Sequence, residues 1–176
     1  MPDLLAHVLF AYAAVTVAGR WIDWITQPLV TLGMVGAMIP DLSKIYLVID
    51  DDPIEAIIGR PIEWLALHTG GGIIISITIG VVLVTTQHQR QATIALTSGA
   101  LSHVILDLFL RTASGVAPYA IFWPITPYRP PTPGIYLSTQ SWPTVIATVL
   151  AAIAWMLDRR SSVKKPQKKS EAVYNS

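Results

Sequence analysis

The sequence predicts an all-α fold, a multi-pass integral membrane helical bundle of about five transmembrane helices. Three observations predict it. Apolar residues make up 52% of the 176-residue chain and charged residues only 13%, about half the ~25% typical of soluble domains. Charge is also concentrated at one end: positions 158–176 hold six of the twelve Lys and Arg residues and two of the eleven acids, so the body is net negative and the tail net positive. Finally, Gly33, Gly36, Gly70, Gly71, Gly72, Gly80 and Gly99 fall within apolar segments, where glycine disfavours a soluble helix but lets membrane helices approach closely.

The first apolar segment runs from Leu4 to Gly19, and His7 is its only residue able to carry charge near neutral pH. Asp3 stands where a secretory leader would be basic, and no small-residue cleavage site precedes Trp21, so this segment is expected to stay in the mature protein. A second segment spans Trp24 to Pro40. The third, Trp64 to Thr86, is long enough at ~1.5 Å per residue to cross a ~30 Å hydrocarbon layer. The fourth covers Gln91 to Leu110 and the fifth about Pro143 to Leu157. The first, second and fifth are short for perpendicular spans, which leaves a water-soluble all-α domain as a rival. That rival fits poorly with segments three and four, which are apolar on every face. Two regions result: 1–157, a membrane-embedded helical domain, and 158–176, a basic cytoplasmic tail expected to be disordered.

Several function classes are excluded. Without cysteine there is no disulfide framework, thiolate metal site or cysteine nucleophile. A net charge of +1 gives no support to a nucleic-acid partner. No Walker-type loop, nucleophile elbow or dinucleotide fingerprint is present. The basic tail places the C-terminus in the cytoplasm, and five crossings then put the N-terminus outside in a plasma membrane. Connections 41–63 and 111–142 would face outward, the first acidic, the second rich in interfacial aromatics.

Ionisable residues inside such segments are costly and mark function. Under this threading they gather on one side: His7 near the start of segment one, Asp41 after segment two, His68 near the start of segment three, and His103 with Asp107 at the end of segment four. His103 and Asp107, four apart, share a helical face with Cβ atoms roughly 6 Å apart. Imidazoles and carboxylates without thiolates suit a divalent metal, Zn²⁺ or Mn²⁺. His88 falls on the opposite side. Asp107 or Asp41 would serve as the catalytic carboxylate that accepts a proton or orients a water. Lys44 and Arg111 on the outer side fit an anionic substrate group, and Trp123 with Pro124 would shape a pocket mouth. An ester or phosphoester, with a lipid among the candidates, fits a site near the membrane face. The alternative is a non-enzymatic scaffold or ion-handling protein whose His and Asp residues only bond helices together. Protein partners have no signal in the sequence.

The ordered motifs Leu5-Ala6-His7, Gly36-Ala37-Met38-Ile39-Pro40-Asp41, His68-Thr69, Ser102-His103-Val104-Ile105-Leu106-Asp107 and Trp123-Pro124 resemble the membrane-bound metal-dependent hydrolase family, whose bacterial members are also described as LexA-binding, inner-membrane-associated hydrolases. The resemblance covers about the first 125 residues. It implies a compact helical membrane protein with His7, Asp41, His68, His103 and Asp107 as metal ligands, in a His/Asp pattern similar to zinc-dependent phospholipase C. The chain departs from the family pattern at Ser43, where a second Asp is common, and at Glu63-Trp64, where a His-Arg pair is common. One or two ions are therefore expected in place of a larger cluster. LexA is not carried over as a partner, because it would need a cytosolic surface larger than the tail and short loops provide.

Overall fold

A computed structural model describes residues 2–48, 51–61 and 63–164, and these contain helices but no strands. The order is α1 (Pro2–Ala18), α2 (Gln27–Met38), a 3-10 helix (Pro40–Leu47), α3 (Asp51–Ile58), a second 3-10 helix (Trp64–His68), α4 (Gly70–Val82), a short 3-10 turn (Thr86–His88), α5 (Gln89–Asp107) and α6 (Trp142–Lys164). Four of the five apolar segments thus map onto single helices, α1, α2, α5 and α6.

The third segment is a correction. Instead of one continuous helix it breaks at Thr69, whose extended backbone (φ −87°, ψ 162°) caps α4. Thr69 Oγ1 donates to Ala66 O at 2.6 Å and accepts from Gly72 N at 3.3 Å, so the hydroxyl closes one helical turn and opens the next. A Cβ at Gly72 would collide with the Ala66 carbonyl. No helix among the described residues is long and apolar enough to cross a membrane. Connection 41–63 is also more structured than expected, containing a 3-10 helix and α3. Helix α6 continues through Lys164, past the expected boundary at 157. The remainder of the tail, 165–176, lies outside the described residues, as does Asp50 of the acidic run.

Helix directions follow from contacts near the helix ends. Arg20 Nη1, just beyond α1, donates to Leu157 O of α6 at 3.2 Å, and Gln27 Nε2, opening α2, donates to Asp158 at 3.4 Å. The far ends of α1 and α6 therefore meet the start of α2. At the opposite end lie the starts of α1, α4 and α6 and the ends of α2 and α5. Helix α2 packs along α5, α1 packs against α6 and α2, and α4 lies on α5.

Small residues make these contacts. A Cβ at Gly36 would strike Leu96 O, and one at Gly99 would strike Gly33 O, so α2 and α5 touch backbone to backbone. Alanines are also buried on both α1 (Ala6, Ala11 and Ala13) and α6 (Ala147, Ala151 and Ala154), two helices that pack together. A larger cluster, Ile39, Ile73, Ile77, Leu96 and Ala100, joins α4 to α5. Large aliphatic side chains point outward: Ile74, Ile75, Ile79 and Val82 of α4 are 59–69% exposed, and Val145, Val149 and Ile153 of α6 are also exposed. The buried ionisable groups sit together at one end.

Candidate metal centre

Local chain geometry brings each ligand candidate to that end. His7 lies in the second turn of α1. Pro40 follows α2, and the 3-10 turn that it begins swings Asp41 inward. His68 is the last residue of the second 3-10 helix, fixed there by the Thr69 cap. His103 and Asp107 occupy the last turns of α5. All five side chains are buried, His103 completely.

The three imidazoles surround Asp107. His68 Nε2–H donates to Asp107 Oδ2 at 2.9 Å, because an ionised carboxylate can only accept. His7 Nε2 is 3.4 Å from Asp107 Oδ1, and His103 Nε2 is 3.4 Å from Asp107 Oδ2. The His7 and His103 rings stack with centroids 3.8 Å apart, and Tyr119 stacks on His68 at 3.9 Å. Asp41 Oδ1 lies 3.8 Å from His103 Nε2. Lys44 Nζ is 2.8 Å from each oxygen of Asp41.

The decisive atom is His103 Nε2. The Ala37 carbonyl, left unpaired at the end of α2, accepts a hydrogen bond from His103 Nδ1–H at 2.7 Å. A neutral His103 therefore presents Nε2 as a bare lone pair. Among the described residues this buried nitrogen has no hydrogen-bond partner, and neither does His7 Nδ1. It faces two carboxylates, an arrangement that repels unless a positive charge, either a proton on Nε2 or a bound cation, stands between them. The donor set fits a divalent cation bound by nitrogen and oxygen. Two groups of side chains are placed to hold one, His7–His103–Asp107 and Asp41–His68–His103, with ligand atoms in each within 4.8 Å of one another.

A cleft of about 270 Å³ opens onto the cluster, lined by His7, Asp41, Lys44, His68, Asp107 and Arg111 among others. Lys44 and Arg111 thus stand at the same cleft as the ligands. Trp123 does not: it lines a neighbouring cleft with Glu63 and Arg129, separated by the wall of Pro118 and Tyr119. His88 is exposed at the other end of the bundle, beside Thr85.

Three groups at the site escaped the sequence reading. Ser43, treated as a missing ligand, is fully buried, and its Oγ lies 3.4 Å from His68 Nδ1. With Nε2–H donating to Asp107, Nδ1 is the acceptor and Ser43 the donor. Tyr119 covers the other side of His68, and the Ala37 carbonyl sets the tautomer of His103.

The family model described as YdjM inner membrane protein matches residues 1–172. The chain belongs to that family. It is the family that the ordered His and Asp motifs resemble, and its description as an inner membrane protein is consistent with the plasma membrane expected from the sequence. Comparison with curated proteins and with solved structures finds no match. The YdjM match covers every residue of the His/Asp cluster.

Proposed function

We propose that this YdjM-family protein is a membrane-embedded, metal-dependent hydrolase acting on an ester or phosphoester that carries an anionic group. The observation that carries the reading is the bare, buried Nε2 of His103, set by the Ala37 carbonyl and aimed at two carboxylates. A single lone pair binds a single ion, so the two ligand groups are alternatives for His103, and one cation is the expected occupancy. His7, His103 and Asp107 would hold it, because both oxygens of Asp41 already receive Lys44. Zn²⁺ or Mn²⁺ fits these donors.

Such a cation supplies Lewis acidity, lowering the pKa of a water and polarising the scissile bond. His68, fixed by Ser43 and Tyr119, orients the Asp107 carboxylate by hydrogen bonding. Asp41 takes the proton of the attacking water and returns it to the leaving alkoxide, while Lys44 holds its carboxylate in position. Lys44 and Arg111 at the cleft favour a negatively charged substrate group.

Membrane embedding is supported by the many large aliphatics on the outside of α4 and α6, and by the five ionisable side chains buried at one end beside a core that is largely alanine, glycine and one aliphatic cluster. The bundle would sit in the membrane with α1, α5 and α6 as its longest elements and the 12- and 13-residue α2 and α4 reaching only part of the way across, its cluster toward the outer face and α6 ending in the cytoplasm. A second reading has its own support, since the His68–Asp107 and His103–Ala37 bonds tie elements together whether or not a metal binds.

The two readings part on metal content. Purified wild type is expected to hold up to one equivalent of divalent metal, and H103A/D107A is expected to lose it while staying folded. Equal metal in both would remove the hydrolase reading, and background metal in both with a lower melting temperature in the variant would establish the helix-bonding role.

A further inference from the structure

A second, almost wholly apolar groove of about 210 Å³ adjoins the cluster, formed by Phe10 of α1, Phe109 and Ile135 beyond α5, and Trp142 and Ile146 of α6. It shares one residue with the polar cleft: buried His7 lines both. The groove is held in shape by the chain beyond α5, where Tyr136 Oη–H donates to Leu106 O at 2.9 Å and Ile135 N–H donates to Phe109 O at 2.9 Å. Its rim is open, because Phe109, Ile135, Trp142 and Ile146 are all 39–57% exposed. These four side chains join the apolar outer surface of α6, so the groove opens sideways onto the surface that would meet lipid tails.

From these observations we infer that the groove is the acyl-chain subsite of the candidate hydrolase, and that its substrate class is a lipid with a phosphate-bearing headgroup. The chain would lie along Phe10, Trp142 and Ile146, and the headgroup would pass His7 into the cleft where Arg111 supplies positive charge. Three features select this occupant. The groove has no charged side chain other than what His7 can carry, so it offers nothing to a polar ligand. The adjoining cleft has Arg111 beside the Lys44–Asp41 pair, and the guanidinium complements an anionic head. Entry from the side spares a lipid from leaving the bilayer. The inference rests on the proposed function for its chemistry, but its geometry is independent of the metal.

The test is binding of hexyl phosphate, ethyl phosphate and inorganic phosphate to the full-length, zinc-treated protein in nanodiscs, measured by calorimetry. All three ligands are water-soluble and share the phosphate. Each methylene withdrawn from water is worth about fourfold in affinity, so hexyl phosphate is expected to bind the wild type at least about tenfold more tightly than ethyl phosphate. I135W and I146W enlarge exposed rim residues and narrow the groove from two different elements, so one remains informative if the other misfolds. Both are expected to abolish the chain-length advantage while leaving inorganic phosphate affinity and zinc content unchanged. Equal binding of hexyl and ethyl phosphate by the wild type, or an advantage that survives both substitutions, would overturn the assignment. Zinc is measured on the same samples: a chain-length advantage in a wild type that holds no zinc would support the groove and remove the hydrolase reading.

Discussion

The two ends of the bundle use the same residue types differently. At one end Arg20 reaches a backbone carbonyl, Gln27 meets Asp158, and His88 lies beside Thr85 three positions earlier, all exposed. At the other, His7, Asp41, His68, His103 and Asp107 arrive from four separate elements and are buried together. Water satisfies the first set at little cost. Burial makes the second set expensive unless every group has a partner, and the bare nitrogen of His103 is where the protein's own partners run short. A histidine becomes informative when its neighbours come from distant parts of the chain and leave it one lone pair.

This contrast can be broken most severely through the scaffold that creates it. G99L would force a side chain into Gly33 O and Ala37 N, separating α2 from α5 and pulling the Ala37 carbonyl away from His103. A loss of about 4 kcal/mol or more is expected, read as failure to recover folded protein or a large drop in melting temperature. The next largest effect concerns division of labour between the carboxylates. D41N is expected to keep its metal and lose hydrolysis of a chromogenic phosphoester by about 10²-fold or more, whereas D107N is expected to lose the metal itself. Equal metal loss in both would mean that Asp41 is also a ligand.

S43A sharpens the comparison further, because it touches no ligand atom directly. Removing the hydroxyl beside His68 is expected to weaken metal affinity by about tenfold, measured by competition with a chelator. The smallest effect belongs to the other end: H88A is expected to change stability by no more than about 0.5 kcal/mol and leave metal content unaltered. A metal deficit in H88A would erase the distinction between the two ends.

Much of this arrangement was legible in the sequence because burial of charge in an apolar segment is itself a signal. The i, i+4 spacing of His103 and Asp107 and the apolar context of His7 and His68 needed no three-dimensional information. Asp41 could be placed by the Pro40 that ends α2, whereas Lys44, read from the sequence as a cation for an anionic substrate group, is paired with Asp41 in the fold. The break at Thr69 could also have been read, since a Thr before three glycines offers a cap and permits close approach, yet mean apolarity suggested one long span. Ser43, Tyr119 and the Ala37 carbonyl were of another kind. Their roles depend on where α2 stops and how the chain beyond α5 folds back over His68, and no local spacing encodes either.

The central claim is that the convergence of His7, His103 and Asp107 holds a single divalent cation. Zinc K-edge absorption on the zinc-loaded, full-length protein tests it most directly. The expected spectrum has nitrogen and oxygen neighbours at about 2.0–2.1 Å, the outer-shell pattern of imidazole, and no second metal within about 4 Å. A spectrum without imidazole scattering, or one unchanged in H103A/D107A, would contradict it.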